Sequence, residues 1–149
     1  MPDIPRAVVA VAPHSSIWDF NIGASLMLVL GLRVSFVAKQ SLFWWPLGNL
    51  LRWLVGIPVN RAQPEGITET LAAEYQRQER LWLAITPEGI RSAGARFKSG
   101  VHRVAEAAGV PILPVRFNYR RRALGFFSPH QPHADAAAGV DAVRRMLLF

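Results

Sequence analysis

Apolar and polar residues alternate along this chain in blocks that predict strands and helices in turn. Short apolar runs predict buried strands at residues 7–12, 34–38, 57–59, 81–85 and 111–117. The longer stretches between them predict helices at residues 16–30, 42–54, 65–80 and 100–108. This alternation is typical of a single-domain α/β sandwich, whose central sheet is mostly parallel and is flanked by helices.

The pattern is weaker in the last part of the chain. Residues 123–127 are compatible with an edge strand, residues 128–133 with a loop interrupted by prolines, and residues 140–149 with a helix that stops on apolar residues. No linker or shift in composition divides the chain, so we expect one domain over residues 1–149. The abrupt apolar end is compatible with a truncated C-terminus.

Composition restricts both the chemistry and the partners. The absence of cysteine excludes disulfides, a thiol nucleophile and thiolate zinc sites. Lys and Arg number 17 against 10 Asp and Glu, and the resulting net charge of +7 favours an anionic partner such as a phospholipid surface, nucleic acid or a phosphorylated substrate. Mean hydropathy is high, at +0.18, yet no apolar run is long and clean enough to span a bilayer.

The first candidate site is His14 with Asp19, which directly follows the apolar run at residues 7–12. Pro13 cannot continue a central ladder, so a turn there would leave His14 at the rim of the sheet and let Asp19 converge on it. A carboxylate on one ring nitrogen leaves the other nitrogen to take a proton from a hydroxyl. Ser16 and Asp19 also have the spacing of a helix capping box, in which His14 is an ordinary loop residue. The two interpretations are partly compatible, because the Asp19 carboxylate can both orient His14 and accept from the helix N-terminus.

Charged clusters also follow two other predicted strands. Ligands of open α/β sheets bind beyond the carboxyl ends of strands, and the guanidinium group matches phosphate. A glycine lets backbone N–H groups approach an anion, and a glutamate can accept from a ligand hydroxyl or hold the arginines in place. The candidate residues are Arg61, Glu88, Gly89, Arg91, Ser92 and Lys98. The alternative is a set of solvated loop charges around a plain turn.

Four blocks in one order resemble the glycerolphosphate/lysophosphatidic acid acyltransferase family. His14 to Asp19 resembles its His-x4-Asp block, and Gly56 to Arg61 resembles Gly-x-x-x-x-Arg. Residues 87–92 resemble Pro-Glu-Gly-Thr-Arg-Ser, with isoleucine in place of the threonine, and residues 110–115 resemble Val-Pro-Ile-x-Pro-Val. The resemblance covers the chain from His14 to about Tyr119.

The resemblance implies direct transfer of a fatty acyl group in phospholipid biosynthesis. His14 would be the general base on a lysophospholipid hydroxyl, and Asp19 would orient it. The anion-site residues would bind the acceptor's phosphate. Acyl-CoA or acyl-carrier protein would be the co-substrate, with no further cofactor and no metal. The absence of a Gly-x-Ser-x-Gly elbow agrees with transfer that has no covalent acyl-enzyme.

Residues 42–55 are unusually aromatic and include Trp44, Trp45 and Trp53. Such a segment can lie at a membrane surface, which predicts a peripheral protein on the cytoplasmic face of a membrane. Tryptophans at this spacing can equally fill the domain core. A non-catalytic lipid-binding module with a decayed acyltransferase fold is the alternative function. Nucleic-acid binding rests on charge alone, so we expect no nucleic-acid partner.

Two further sequence features leave alternatives open. The run 119–122, Tyr-Arg-Arg-Arg, is the densest basic stretch, and it fits either contact with the phosphates of phospholipid or coenzyme A or a solvated turn between two strands. His130, His133 and Asp135 have a loose resemblance to metal ligands, but the intervening prolines and the absence of a fourth partner favour a loop.

Overall fold

A six-stranded sheet forms the centre of the computed structural model, which describes residues 3–12, 25, 29, 31, 33–53, 56–60, 62–85, 100–118, 121, 123–132 and 136–148. The strands are β1 (Arg6–Ala12), β2 (Val34–Lys39), β3 (Gly56–Val59), β4 (Leu81–Ile85), β5 (Ile112–Asn118) and β6 (Ala123–Phe126). The helices are α1 (Leu47–Trp53), α2 (Pro64–Arg77), α3 (Gly100–Ala108) and α4 (Ala136–Leu148).

The strand order is β3-β2-β4-β1-β5-β6, with β1–β5 parallel and β6 antiparallel to β5. The α/β class with a mostly parallel sheet and flanking helices, predicted from the alternating pattern, is confirmed. Because β1–β5 all point the same way, their carboxyl ends share one edge of the sheet, which we name the carboxyl edge.

The direction of each crossover decides which face of the sheet its helix covers, because crossovers between parallel strands are right-handed. The steps from β3 to β4 and from β4 to β5 go one way along the sheet, and the step from β2 to β3 goes the other way. Accordingly, α2 and α3 pack on one face, the first face, and α1 lies on the opposite, second face.

The main hydrophobic core lies between the first face and helices α2, α3 and α4. Alternate residues of the strands point into it, including Val8, Leu83 and Ile112, each fully buried. The opposite residues of β1 and β5 are buried on the second face. These are Ala7, Val9, Val11, Leu113 and Val115. β1 is therefore apolar on both faces, as expected of a central parallel strand.

Tyr75 joins α2 to the sheet through a buried hydrogen bond. Its side chain is fully buried, and its hydroxyl donates to the carbonyl oxygen of Ala7 at 2.8 Å. Burial raises the pKa of the Tyr75 phenol well above its ordinary value, because the ionised form would lose its hydration. The Arg6 guanidinium donates to the Tyr75 carbonyl oxygen at 3.1 Å, so the end of α2 is tied to the start of β1.

Two prolines lie inside strands without breaking the sheet. Pro58 is on β3, an edge strand of the described sheet, where a missing donor is tolerated. Pro114 is on β5, and its carbonyl oxygen accepts from the Phe127 N–H at 3.0 Å. The N–H and C=O of one strand residue face the same side, so the N–H that Pro114 lacks would have pointed toward β6. The regular pairing of β5 with β6 begins one residue later, at Val115, and therefore does not need that donor.

Gly56 is the point at which α1 approaches the sheet. A Cβ atom at this position would lie 2.9 Å from the Leu51 carbonyl oxygen and 3.0 Å from the Phe36 ring. Any larger residue would push α1 away from β2 and β3. The glycine that opens the second sequence block is therefore explained by packing.

Several predicted boundaries were wrong. The helix predicted over 42–54 is a 3-10 turn at Gln40–Leu42 followed by α1, with a cis peptide bond at Trp45–Pro46 between them. A proline disfavours helical geometry in the residue before it, so the helix begins only after Pro46. α4 begins at Ala136, earlier than predicted, and β6 ends at Phe126. Of the helix predicted over 16–30, only Ser25 and Val29 are described, and both are helical.

Candidate functional site

The strands of the sheet carry three of the sequence blocks to the carboxyl edge. β1 ends at Ala12, two residues before His14, and β4 ends at Ile85, three residues before Glu88. β3 ends at Val59, two residues before Arg61. Since these strands are parallel, all three blocks leave the sheet at the same edge, which is where open α/β sheets bind ligands.

The predicted site residues themselves lie outside the described residues. They are His14, Asp19, Arg61, Glu88, Gly89, Arg91, Ser92 and Lys98. The structure therefore gives the strands from which they leave the sheet, and the contact between His14 and Asp19 stays a prediction.

Strand order ranks the distances between the strands that lead into the blocks. β1 and β4 are neighbours, with Ala10 opposite Ile85, so the His14 block and the block at 87–92 leave from adjacent strands about 4.8 Å apart. β3 lies three strands from β1, a lateral separation of about 14 Å at that spacing. The strands that precede the His14 block and the block at 87–92 are thus neighbours, whereas the strand that precedes Arg61 lies three strands from β1.

A tight turn joins β3 to α2 and contains Arg61 in its sequence. The Asn60 side-chain oxygen accepts from the Ala62 N–H at 3.0 Å, and the Asn60 carbonyl oxygen accepts from the Gln63 N–H at 3.2 Å. Pro64 then supplies the first residue of α2, a position at which proline needs no donor. These bonds explain why an asparagine precedes the arginine of the second block.

The fourth block, residues 110–115, leads into and forms the first part of β5, the strand beside β1. Val110, Ile112, Leu113 and Val115 are all buried, and β5 pairs with β1 over Val8–Ala12. This block holds the strand that leads to His14.

Arg116 was missed by the sequence analysis, although it follows the fourth block directly. It pairs with Ala12, the last residue of β1, and is half-buried. Among the residues that the structure describes, Arg116 makes no hydrogen bond and no ion pair. The sequence feature that could have identified Arg116 is its position as the only charged residue in a run that otherwise predicts a buried strand.

The acyltransferase family model matches this chain over residues 3–118. The chain belongs to the acyltransferase family. The resemblance inferred from the four sequence blocks is thereby confirmed, and the matched segment contains the strands β1–β5 and the three blocks at the carboxyl edge.

Relatives within the acyltransferase family carry one shared name. The chain is 40% identical over 115 residues to the 1-acyl-sn-glycerol-3-phosphate acyltransferase of Escherichia coli, covering 72% of this chain and 45% of that protein. It is 33% identical over 113 residues to the Salmonella typhimurium protein of the same name, with the same two coverages. The chain therefore spans about half the length of the curated relatives it matches.

A solved structure of the same family shares the fold. It is the 1-acyl-sn-glycerophosphate acyltransferase PlsC from Thermotoga maritima, with a TM-score of 0.70 and 23% sequence identity. The alignment covers 98% of this chain and 65% of that chain. At this identity the similarity supports the fold alone.

The aromatic segment of this acyltransferase-family chain is on the surface. Trp44, Trp45 and Trp53 are 58%, 80% and 73% exposed, and Leu50 is 51% exposed. The alternative that these tryptophans fill the core is therefore wrong. The Arg52 guanidinium lies 5.7 Å from the centre of the Phe43 ring, so a cation borders the exposed aromatic groups. No helix among the described residues combines the length and apolar composition needed to cross a bilayer.

Two other features from the sequence have structural outcomes. Of the basic run at 119–122, the structure describes Arg121, which is exposed and whose N–H donates to the Asn118 side-chain oxygen at 3.1 Å in the turn between β5 and β6. His102 is a packing residue of α3, only 2% exposed. A Cβ atom on Gly139 would lie 2.7 Å from His102 Nε2, so the imidazole ring fills the space between α3 and α4.

Proposed function

We propose that the protein containing this chain transfers a fatty acyl group from acyl-CoA or acyl-carrier protein to the hydroxyl of a lysophospholipid such as 1-acylglycerol 3-phosphate. The observation that carries the proposal is the adjacency of β1 and β4, which lead into the His14 block and the block at 87–92 at one edge of the sheet. The names of the relatives support the acceptor class.

In the proposed reaction His14 takes the proton of the acceptor hydroxyl while the oxygen attacks the thioester carbonyl carbon. A new C–O bond forms, the C–S bond breaks, and the departing thiolate receives the proton from His14. Asp19 holds the imidazole in the required tautomer and stabilises its charged form. The chain has no cysteine, and a direct transfer needs no covalent acyl-enzyme.

The acceptor's phosphate would be bound by the cations of the second and third blocks. Arg61 and Arg91 supply guanidinium forks, and Lys98 adds positive potential. Gly89 gives backbone N–H groups access to the anion, Ser92 adds a hydroxyl, and Glu88 holds the arginines or accepts from the glycerol. These roles match the chemistry of a phosphate monoester beside the hydroxyl that reacts.

The exposed tryptophans would hold the protein at the cytoplasmic face of a membrane as a peripheral protein of phospholipid biosynthesis. Tryptophan favours the headgroup boundary, and Arg52 adds attraction to anionic lipid. Trp44 and Trp45 follow β2, which ends at Lys39 on the carboxyl edge of the sheet. A membrane there would deliver the lysophospholipid directly.

Release of free thiol tests the reaction. With lysophosphatidate and acyl-CoA or acyl-carrier protein, we expect thiol release that falls by about a hundredfold to ten-thousandfold in His14→Ala, because the general base is lost. His133→Ala is the matched control and should retain the activity. Equal rates in wild type and His14→Ala contradict the mechanism. Vesicle binding without any turnover would favour the non-catalytic lipid-binding module instead.

Cosedimentation with vesicles tests the membrane surface. The double variant Trp44→Ala/Trp45→Ala should bind vesicles that contain anionic phospholipid several-fold more weakly than wild type, because it removes exposed apolar area at the headgroup boundary. Phe126→Ala removes an aromatic side chain that is 36% exposed on β6 and should bind as wild type does. Equal binding by the double variant and wild type contradicts the surface.

A further inference from the structure

Arg52 is held over an aromatic ring at the border of the exposed tryptophans. Its side chain is exposed, and its guanidinium lies 5.7 Å from the centre of the Phe43 ring. It makes no hydrogen bond or ion pair with the residues that the structure describes. A cation is attracted to the face of an aromatic ring through its charge, so this contact leaves the N–H donors of the guanidinium available to an anion.

The position of Arg52 follows from the way in which α1 begins. A Cβ atom on Gly48 would lie 2.6 Å from the Phe43 carbonyl carbon, so the helix packs directly on the backbone that precedes it. The Gly48 N–H also donates to the Trp44 carbonyl oxygen. Arg52 comes one turn after Gly48 and is therefore on the same side of α1, the side that faces Phe43. The backbone thus places the guanidinium beside the ring.

Apolar side chains cover the outward part of the same segment. Gly48 is buried, whereas Leu50 and Trp53 of α1 are exposed and so lie on its outward side. Trp44 and Trp45, which come just before α1, are exposed as well. Exposed apolar side chains that collect on one segment, unlike single ones, indicate a contact site. The aromatic surface is our name for residues Trp44, Trp45, Leu50, Arg52 and Trp53.

The charge of the aromatic surface comes from one side chain. Arg52 is the only charged residue between Lys39 and Arg61 in the sequence. An acidic protein or a nucleic acid is attracted by several cations spread over a face, and a single arginine among tryptophans does not provide them. The boundary of a phospholipid bilayer does match this composition, because it offers apolar chains to the tryptophans and a phosphate to the guanidinium.

We propose that Arg52, positioned by the Phe43 ring, binds the phosphate of an anionic phospholipid while the tryptophans of the aromatic surface lie at the headgroup boundary. The planar fork of arginine matches two phosphate oxygens. A zwitterionic headgroup would place its ammonium group near the guanidinium, so an anionic phospholipid is the preferred partner. This role of Arg52 rests on the membrane contact within the proposed function, to which it adds a defined ligand for the phosphate.

Cosedimentation with two kinds of vesicle tests the role of the charge. One kind contains phosphatidylcholine alone, and the other contains equal parts of phosphatidylcholine and phosphatidylglycerol. Wild type should prefer the anionic vesicles, and Arg52→Gln should lower this preference by about fivefold, the factor expected of one arginine at an anionic surface. Its binding to vesicles of phosphatidylcholine alone should equal that of wild type.

Arg80→Gln is the matched control for the loss of a positive charge. Arg80 is exposed beside the amino end of β4, at the edge of the sheet opposite to the carboxyl edge. Because the aromatic surface follows the carboxyl end of β2, Arg80 lies away from the proposed contact. Arg80→Gln should therefore keep the wild-type preference.

A second set of variants tests the position of the guanidinium. Phe43→Leu keeps the charge and removes the ring, so it should lower the preference by about twofold to fivefold, the factor that an exposed cation–π contact supports. Phe43→Tyr keeps the ring and should keep the wild-type preference. Arg52→Lys keeps the charge without the planar fork and should retain only part of the preference. If Phe43→Leu does not fold, as judged by thermal unfolding, Arg52→Lys decides this part of the test.

Several outcomes overturn the proposal. Arg52→Gln with the wild-type preference shows that Arg52 contacts no lipid phosphate, and an equal loss in Arg80→Gln shows that only the net charge acts. The wild-type preference in both Phe43→Leu and Arg52→Lys shows that the ring does not position the guanidinium. A wild type that binds neither kind of vesicle refutes the membrane contact as well. Because no acyl donor or acceptor is present, absence of turnover refutes the proposed reaction and leaves this role of Arg52 intact.

Discussion

The buried bodies of the central strands and the segments just beyond their carboxyl ends have opposite chemistry. β1 and β4 carry only apolar side chains at their paired positions, apart from Arg6 at the start of β1. Within three residues of their ends the sequence turns to His14 and Glu88. In a parallel sheet the strand bodies form the core, and the polar segments that follow the strands all begin at one edge, although they are distant in sequence. Substitutions in the two regions should therefore affect different properties.

The largest expected effect is beyond the end of β1. Asp19→Asn should lower thiol release by on the order of a thousandfold, because the amide cannot hold the imidazole in the required tautomer or stabilise its charge. The free energy of unfolding, from urea denaturation, should change by no more than about 1 kcal/mol. The control is Asp141→Asn, an exposed position on α4. Full turnover together with a loss of stability would leave Asp19 as a helix cap only.

The next effect belongs to the strand body. Leu83→Ala should lower the free energy of unfolding by about 2–5 kcal/mol, because Leu83 is fully buried and its loss leaves a cavity. Leu50→Ala, in which the leucine is 51% exposed, should change it by less than about 0.5 kcal/mol. Turnover per folded molecule should be unchanged in both variants. Equal stability losses would show that Leu50 is covered in solution.

A glycine pair extends the comparison to the helices. Gly139→Ala should destabilise the fold by about 1–3 kcal/mol, because the new methyl group meets the buried His102 ring. Gly66→Ala, in α2, meets nothing within 4 Å and should stabilise by up to about 1 kcal/mol through helix propensity. Thermal unfolding measures both. A stabilised Gly139→Ala would mean that α4 does not pack on His102 as described.

The smallest effect concerns the bond between α2 and β1. Tyr75→Phe should cost about 1–2 kcal/mol, because the Ala7 carbonyl oxygen loses its buried donor. Since burial raises the pKa of Tyr75 in the fold, unfolding releases the phenol to its ordinary pKa near 10. The contribution of Tyr75 to the free energy of unfolding of the wild type should be constant below pH 10 and should fall as the pH rises above 10. Tyr75→Phe should lack that additional fall, and an identical alkaline dependence in both proteins would contradict the assignment.

The sheet was predictable because its strands are buried apolar runs. β4 was predicted with the bounds that the structure has, and the alternation with helices gave the α/β class. Strand order was not predictable, since the hydrophobic pattern contains no information about which strands pair. The start of α4 was missed because an alanine-rich segment has little contrast between its faces.

The site was predictable only as a set of blocks. Their order and their place after strands predicted one edge of a sheet, and the three strand ends lie there. The exposure of Trp44, Trp45 and Trp53 was not decidable, because aromatic spacing is the same on a core face and on a membrane face. Arg116 was missed because a single cation in an apolar strand is commonly a snorkelling side chain.

The order of strands also has a consequence for synthesis on the ribosome. β1 is translated before both of its neighbours, with Arg6 opposite Leu81 and Val8 opposite Ile112. Such pairing of distant segments makes folding slow, and the apolar β1 stays exposed until β4 and β5 have left the exit tunnel. Nascent chains of this protein are therefore expected to depend on chaperones that shield β1.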